Sequence, residues 1–197
     1  LTVLEKLAGP EQTVTVISAS DTGKTDFQHP VMVGVEVAGE GRVMPHSSGL
    51  SDDWFAHDGQ LTKQPVRAAT LAALAPQPGQ YLWDLGAGSG SVAIEWLLSG
   101  PAMQATAVEQ NPDRAASIAV NAVNLGVDWL QILHTDNLSA LEQLSSPDAV
   151  FIGGGLRDDL LRQLWERLPV GTRLVANGVT IETDRLLTSA QETYGGQ

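Results

Sequence analysis

The residues with the clearest chemical potential form a glycine-rich stretch near the middle of the chain. An apolar run, Tyr81–Leu85, is followed by Gly86, Gly88 and Gly90 at every second position, and then by the helix-forming segment Ser91–Leu98. Glycines reach φ > 0 readily and let a ligand come close to the main chain. The free N–H groups at the start of a helix then face that ligand. A strand, a glycine loop and a helix in this order predict a nucleotide-binding turn.

The spacing of these glycines indicates which nucleotide is bound. Ser91 stands where a dinucleotide fingerprint has its third glycine, and the phosphate-binding pattern that ends in Gly-Lys-Ser/Thr is absent from the chain. The run from Asp84 to Gly90, Asp-Leu-Gly-Ala-Gly-Ser-Gly, resembles motif I of the Rossmann-like S-adenosylmethionine-dependent methyltransferases. A glycine turn that only joins a strand to a helix is the alternative.

Two acids follow later predicted strands. Glu109 comes 19 positions after Gly90, where a nucleotide-binding βαβ unit places an acid that accepts from ribose hydroxyls. Asp136, with Asn137 beside it, follows the third predicted strand. An acid there can accept from the adenine amino group in methyltransferases, or it can cap the helix predicted to begin near Leu138. The two roles are compatible.

Composition and charge limit the classes of function. The 197 residues include 23 acids and 11 bases, for a net charge of −12, which argues against a nucleic-acid partner because phosphate backbones are bound by clustered Lys and Arg. No apolar run approaches the roughly 18 residues of a membrane helix. Cysteine is absent and the four histidines show no metal spacing. We therefore expect no metal, no membrane association and a cytoplasmic location.

The elements that position these residues follow from hydrophobic patterning. From residue 61 onward strands alternate with helices, which specifies a mostly parallel sheet with right-handed crossovers. The predicted strands cover residues 81–85, 105–109, 130–134, 149–152 and 173–177. The expected fold class is α/β, a Rossmann-like doubly wound sheet over residues 61–197.

The first third of the chain has a different character. The pattern predicts the end of a helix over residues 1–7 and strands over 13–18 and 31–38. Residues 39–60 are rich in Gly, Pro, Ser, Asp and His, a composition typical of a linker, which we place at residues 46–60. We therefore expect a boundary between residues 1–45 and the α/β domain.

Four motifs occur in order and carry a family resemblance. They are Gly-Gln-Leu-Thr-Lys-Gln-Pro-Val-Arg-Ala over residues 59–68, Leu-Trp-Asp-Leu-Gly-Ala-Gly-Ser-Gly over 82–90, Ala-Val-Phe-Ile-Gly-Gly-Gly over 149–155 and Arg-Leu-Val-Ala-Asn-Gly-Val-Thr-Ile-Glu over 173–182. Together they resemble the decarboxylating precorrin methyltransferases of cobalamin biosynthesis, and more narrowly the C-terminal module of the fused enzymes of that family. The resemblance covers residues 49–194.

This resemblance implies a reaction and an architecture. The module would use S-adenosylmethionine to methylate carbon 15 of a precorrin, a tetrapyrrole, and would decarboxylate the acetate of ring C. Residues 1–45 would be the remnant of a preceding methyltransferase module that cannot fold as a domain. The α/β domain would be of the class I methyltransferase type without its last strands, so that the fifth strand would be an exposed edge. A homotetramer is also implied.

The resemblance and the chemistry together assign the site residues. The predicted cofactor-binding residues are Thr62, Gly86, Ala87, Gly88, Ser89, Gly90, Glu109, Asp136 and Asn137. A substrate with many carboxylates requires local cations, and Lys63 and Arg67 are spaced by one helical turn. The predicted catalytic residues are Lys63, Arg67 and Asn177, and the predicted substrate-binding residues are Gly153, Gly154, Gly155, Arg157 and Thr180.

Two alternatives remain open at this point. One is a Rossmann-like module that binds S-adenosylmethionine without catalysing a reaction. The other is a methyltransferase that acts on a different small molecule or on RNA. Turnover of a tetrapyrrole separates the first alternative from an enzyme, and the acidic charge weighs against RNA.

Overall fold

The computed structural model describes residues 1–196 and forms two compact units, one over Leu1–Val43 and one that begins at Met44. In the smaller unit β1 (Thr2–Glu5) pairs antiparallel with both β2 (Thr13–Val16) and β3 (Val31–Gly34). The two predicted strands are confirmed in shorter form. The helix end predicted over residues 1–7 is wrong, because the backbone of β1 is paired on both sides. The origin of this unit as a remnant of a preceding module stays a prediction.

The larger unit alternates helices and strands as the patterning predicts. Most observed bounds lie within one or two residues of the predicted ones. The helix predicted to begin near Leu138 starts at Asn137 and ends at Ala140. The elements are α1 (Gln64–Leu74), β4 (Tyr81–Leu85), α2 (Ser91–Leu98), β5 (Gln104–Val108), α3 (Pro112–Asn124), β6 (Gln131–Leu133), α4 (Asn137–Ala140), β7 (Ala149–Ile152), α5 (Asp158–Arg167), β8 (Arg173–Ala176) and α6 (Ile181–Tyr194).

The five strands form one parallel sheet in the order β6-β5-β4-β7-β8. The chain moves outward from β4 to β6 and then returns to the other side of β4, so β4 lies at the point where the strand order reverses. Leu85 is level with Val108 on one side and with Ile152 on the other. The segments that follow these three strands therefore leave the sheet at the same edge, where doubly wound sheets bind ligands. The α/β prediction is confirmed.

Both faces of the sheet are covered, which explains the nearly continuous apolar runs of β4, β5 and β7. One hydrophobic cluster contains residues of α1, α2 and α3, and the other contains residues of α4 and α5. β8 forms one edge of the sheet over the described residues, and α6 contains no fully buried residue. The central strands β4, β5 and β7 are thus buried between two layers of helices.

The segment predicted as a linker, residues 46–60, differs from that expectation. Leu50 and Phe55 are 2% and 5% exposed and belong to the same cluster as Leu71 and Trp96. A linker would leave these side chains in water. The composition is polar because most residues of the segment face solvent, while two apolar side chains anchor it to the larger unit.

No helix within residues 1–196 combines the length and the apolar character needed to cross a membrane.

Candidate active site

The glycine loop after β4 has the backbone conformation that its composition predicts. Gly86, Gly88 and Gly90 have φ values of +71°, +60° and +74°, a region that residues with a Cβ rarely adopt. The N–H groups of Gly86 and Ala87 donate to the carbonyl of Val108, each at 3.0 Å. The loop is therefore fixed to the end of β5 before α2 begins.

The loop of Gly153, Gly154 and Gly155 after β7 packs directly against this glycine loop. A Cβ added to Gly86 would lie 2.5 Å from the carbonyl oxygen of Gly154, and one added to Gly153 would lie 3.0 Å from the carbonyl oxygen of Gly86. Contact between two main chains thus accounts for glycine at positions 86 and 153. The sequence interpretation, which reserved the triple glycine for a ligand, missed this contact.

Glu109 is held in one orientation at the end of β5. Its side chain is 4% exposed, Oε2 accepts from the N–H of Gly88 at 2.9 Å, and Oε1 accepts from the N–H of Asn111 at 2.9 Å. Each carboxylate oxygen has a second lone pair. The carboxylate can therefore accept from the hydroxyls of a ligand while it stabilises the glycine loop.

Asp84 lies beneath the glycine loop and is completely buried. Oδ2 accepts from the N–H of Ala93 at 3.0 Å, and Oδ1 has no hydrogen-bond partner among the described residues. Burial raises the pKa of Asp84 to about 7, the negative charge of Glu109 adds to that rise, and the Ala93 N–H opposes it. A carboxyl group that titrates near neutral pH therefore lies under the loop.

A cavity of about 530 Å³ opens at the carboxyl ends of the strands, and both glycine loops line it. Most of the predicted site residues contribute to its lining. They are Thr62, Lys63, Gly86, Ala87, Gly88, Glu109, Asp136, Asn137, Gly153, Gly154, Gly155, Arg157 and Asn177. The fold thus brings residues from both ends of the larger unit to a single cavity.

The prediction that Arg67 is catalytic is wrong. Its side chain is 0% exposed, it does not line the cavity, and its Nε donates to Oε1 of Glu95 at 2.5 Å. The guanidinium also lies 4.8 Å from the centre of the Phe55 ring. The spacing of Lys63 and Arg67 misleads because Lys63 precedes the helix in an extended conformation, so the two side chains do not share a helical face.

Three further predicted residues lie outside the lining. Ser89 is 2% exposed, and its Oγ has no hydrogen-bond partner among residues 1–196. Gly90 directly precedes α2 and packs against Ile118, which a Cβ would approach to 2.7 Å. Thr180 caps α6 by accepting from the N–H of Thr183 at 3.1 Å. These residues shape the elements around the cavity and do not face it.

Asp136 and Asn137 combine a structural role with a position at the cavity. Oδ1 of Asp136 accepts from the N–H groups of Leu138 and Ser139 at 3.0 and 3.1 Å, so Asp136 caps α4. The hydroxyl and N–H of Ser139 hold the pKa of Asp136 below its ordinary value. Asn137 donates from Nδ2 to the carbonyl of Gly154 at 3.1 Å and joins the third strand end to the triple glycine.

Each cation at the cavity lies beside an aspartate. Nζ of Lys63 is 3.5 Å from Asp52, and Arg157 pairs with Asp159 at 2.9 Å. Arg114, which the sequence interpretation missed, also lines the cavity and pairs with Asp58 at 2.8 Å. The signal for Arg114 was its place in the first turn of the helix that follows Glu109.

The cavity also has apolar and neutral surfaces. Leu61, Val66, Leu160 and Val179 contribute hydrophobic lining that was not predicted. The amide of Asn177 is oriented by a hydrogen bond from Nδ2 to Oγ1 of Thr70 at 3.1 Å. No group of three or more His, Asp or Glu side chains within residues 1–196 could hold a metal ion.

Comparison with known proteins gives concordant matches. The family model of the precorrin methyltransferase domain matches residues 53–197. The chain is 44% identical over 200 residues to precorrin-6Y C(5,15)-methyltransferase [decarboxylating] of a Sinorhizobium species, an alignment that covers all of this chain and 48% of the relative. This chain therefore spans about half the length of that relative.

A shorter relative and a solved structure each match about three quarters of the chain. The chain is 31% identical over 153 residues to a Pyrobaculum aerophilum protein named probable cobalt-precorrin-6B C(15)-methyltransferase (decarboxylating), covering 75% of this chain and 78% of the relative. The crystal structure of the C-terminal domain of precorrin-6Y C5,15-methyltransferase from Rhodobacter capsulatus superposes with a TM-score of 0.75 at 46% identity. That match covers 78% of this chain and 83% of the other.

Proposed function

The chain belongs to the family of precorrin methyltransferase domains, and from this premise we propose that it methylates carbon 15 of a precorrin with S-adenosylmethionine and decarboxylates the ring C acetate, in cobalamin biosynthesis. The shorter Pyrobaculum relative supports the assignment to carbon 15, since its name includes only that position and the decarboxylation. The same resemblance leads us to propose a homotetramer, which sedimentation equilibrium would test.

The observation that carries the proposal is the fixed carboxylate of Glu109 beside a glycine loop at the reversal point of the sheet. S-adenosylmethionine, when bound, supplies an electrophilic methyl group. Glu109 would accept from its ribose hydroxyls, and Asp136 with Asn137 would face its adenine. The main chain of Gly86, Ala87 and Gly88, which lines the cavity, would contact the remainder of the cofactor.

The charge of the cavity supports an anionic substrate. Its lining contains three cationic side chains and two carboxylates, although the whole chain has 11 bases and 23 acids. The two carboxylates are those assigned to the cofactor. Lys63, Arg114 and Arg157 each pair with an aspartate that keeps contact with water, the side chains of Asp52, Asp58 and Asp159 being 28%, 50% and 53% exposed, and ion pairs in contact with water contribute little free energy. The carboxylates of a precorrin can therefore compete for these cations.

The remaining lining would orient the substrate and exclude water. Leu61, Val66, Leu160 and Val179 offer apolar contacts to a flat macrocycle, and the Thr70 hydrogen bond fixes the amide of Asn177 for a polar contact. Alignment of the reacting atoms in a dry cavity is the main contribution that such a protein makes to methyl transfer. Lys63→Ala removes one of the three cations of the lining and should lower turnover of the tetrapyrrole.

The first test of the proposal is calorimetric titration with S-adenosylhomocysteine. We expect micromolar binding, about −8 kcal/mol, and a loss of at least about tenfold in Glu109→Ala. Glu142→Ala removes an exposed carboxylate that does not line the cavity and should bind as the wild type does. Equal affinities for all three proteins would contradict the assignment of Glu109 to the ribose.

The two alternatives give different outcomes in a turnover assay. A decarboxylating methyltransferase converts the precorrin to a product that has gained one methyl group and lost one carbon dioxide. A binding module would take up the cofactor and leave the tetrapyrrole unchanged. Methylation of another small molecule or of RNA, in place of the tetrapyrrole, would identify the remaining alternative.

A further inference from the structure

Arg67 carries a buried positive charge and does not line the cavity. It lies on α1 with no exposed surface, and its ion-pair partner Glu95 on α2 is 5% exposed. Pairing offsets part of the cost of removing two charges from water, but an apolar pair in the same place is often no less stable. The ion pair alone therefore does not explain why a guanidinium occupies this position. The other contacts of the guanidinium do explain it.

The remaining N–H groups of Arg67 bind one irregular segment, residues 49–62, which we call the strap. Nη2 donates to the carbonyl of Leu50, and Nη1 donates to the carbonyl of Thr62 and to Oδ1 of Asp52, the last at 3.2 Å. Leu50 and Thr62 lie at opposite ends of the strap. One planar side chain therefore closes this segment into a loop.

Two further buried polar side chains hold the strap, Glu95 at its first end and Asn121 near its middle. Glu95 accepts from the N–H groups of Gly49 and Leu50 at 2.6 and 3.0 Å. Asn121 on α3, 1% exposed, accepts from the N–H of Ala56 at 2.8 Å and donates to its carbonyl at 2.9 Å. The strap contains only one short turn of 3-10 helix, Asp52–Trp54, so these side chains replace regular secondary structure in fixing it.

The end of the strap forms one wall of the cavity. Gln60, Leu61 and Thr62 line it, and the carbonyl oxygen of Gln60 lies so close to the glycine loop that a Cβ on Gly88 would be 3.1 Å away. We propose that Arg67 is a positioning residue that holds this wall against the glycine loop through the carbonyls of Leu50 and Thr62. The inference rests on the proposed function only in taking the ligand of the cavity to be S-adenosylmethionine.

Replacement of Arg67 by lysine distinguishes the effect of its positive charge from the effect of its hydrogen-bond geometry. An ammonium group can still pair with Glu95, but its three donors leave from one point and cannot reach Leu50, Asp52 and Thr62 together. Arg67→Lys therefore retains the buried positive charge and releases the strap. Arg162→Lys is the matched control, because Arg162 on α5 forms an exposed ion pair with Asp158 and touches no part of the strap.

The experiment combines titration with S-adenosylhomocysteine and amide hydrogen exchange measured by mass spectrometry. In Arg67→Lys we expect affinity about tenfold weaker and exchange about tenfold faster in the strap. Peptides from β4 and β7 should exchange as in the wild type, and Arg162→Lys should match the wild type in both measurements. This pattern would support a local positioning role, because general destabilisation would also accelerate exchange in the sheet.

Two results would overturn the inference. One is unchanged affinity and strap exchange in Arg67→Lys. The other is exchange that rises equally in the strap, β4 and β7. A wild-type protein that does not bind S-adenosylhomocysteine would count against the proposed function. The exchange pattern would then decide by itself whether Arg67 holds the strap.

Discussion

Three carboxylates near the carboxyl ends of the strands differ in their chemistry although their side chains are of the same kind. Asp84 is buried with one unpartnered oxygen, Glu109 is fixed by two main-chain N–H groups, and Asp136 is an exposed helix cap. Burial raises the pKa of Asp84 to about 7, whereas hydrogen bonds from Ser139 lower the pKa of Asp136. The surroundings of each carboxylate, and not its residue type, therefore decide its role.

The raised pKa of Asp84 predicts a dependence of stability on pH. Its pKa is about 7 in the folded protein, against about 3.8 for an ordinary aspartate, so the folded state binds more protons between these values. The free energy of unfolding therefore falls as pH rises from about 4 to about 7, by up to about 4 kcal/mol from this group. Asp84→Asn keeps an acceptor for the Ala93 N–H and should abolish that component.

Urea unfolding of wild type and Asp84→Asn at pH 5 and pH 8 measures the effect. The variant should gain stability relative to the wild type on going to the higher pH. Asp128→Asn removes an exposed carboxylate and controls for the loss of one negative charge. A difference between Asp84→Asn and wild type that is the same at both pH values would contradict the assignment.

At the scale of elements, the site depends on contact between loops that follow different strands. The loop after β4 touches the loop after β7 through Gly86 and Gly154, and the start of α4 joins the same contact through Asn137. The helix caps are local by comparison: Asn111 caps α3 by accepting from Asp113 and Arg114. The contact between the two loops is therefore the feature on which the shape of the cavity depends.

Substitution of Gly86 by alanine tests this contact. Gly86 and Gly126 have the same φ of +71°, but a Cβ on Gly126 would meet no atom within 4 Å, whereas one on Gly86 would lie 2.5 Å from a main-chain oxygen. We expect Gly126→Ala to cost about 1 kcal/mol of stability from its backbone conformation. Gly86→Ala should cost about 3 kcal/mol or more because a main chain must move.

Thermal and urea unfolding of both variants provide the stabilities, and titration with S-adenosylhomocysteine should show that only Gly86→Ala loses affinity. If the two variants were equally stable and bound equally well, the contact between the glycine loops would not shape the cavity.

At the scale of the whole molecule, the cavity belongs entirely to the larger unit. Every residue that lines it lies between Gln60 and Val179, and the side chains that hold the strap come from α1, α2 and α3. The smaller unit forms its own antiparallel sheet. The fold and the site are therefore built without residues 1–43.

A chain that starts at Met44 should fold and bind S-adenosylhomocysteine with an affinity within about threefold of the 197-residue chain, since its hydrophobic clusters are complete. Circular dichroism on heating and calorimetric titration provide the comparison. Loss of binding in a shortened chain that still melts cooperatively would show that the smaller unit contributes to the site.

Local patterning was sufficient to predict the sheet and most of the cavity. The strands of the larger unit are apolar runs bounded by glycine, proline or helix caps, and parallel strands must end at one edge when helices connect them. Glu109, Asp136 and the glycine loop could therefore be placed at a common edge from their positions after predicted strands. The backbone conformation of Gly86, Gly88 and Gly90 also follows from residue type, because few other residues adopt it.

The role of Arg67, the position of the strap and the contact between the glycine loops were decided by the tertiary structure alone. These features depend on which surfaces pack together. Arg67 shares the buried face of α1 with Leu71 and Leu74, and only the packing of α1 against α2 shows that its charge is met by Glu95. Leu50 and Phe55 are too far apart in a polar segment to form a pattern, so nothing local identifies the strap as a wall. Gly86 and Gly153 lie 67 residues apart in the sequence, and glycine is needed at both because the main chains of their loops touch. Such a contact can be recognised only when the positions of both loops are known.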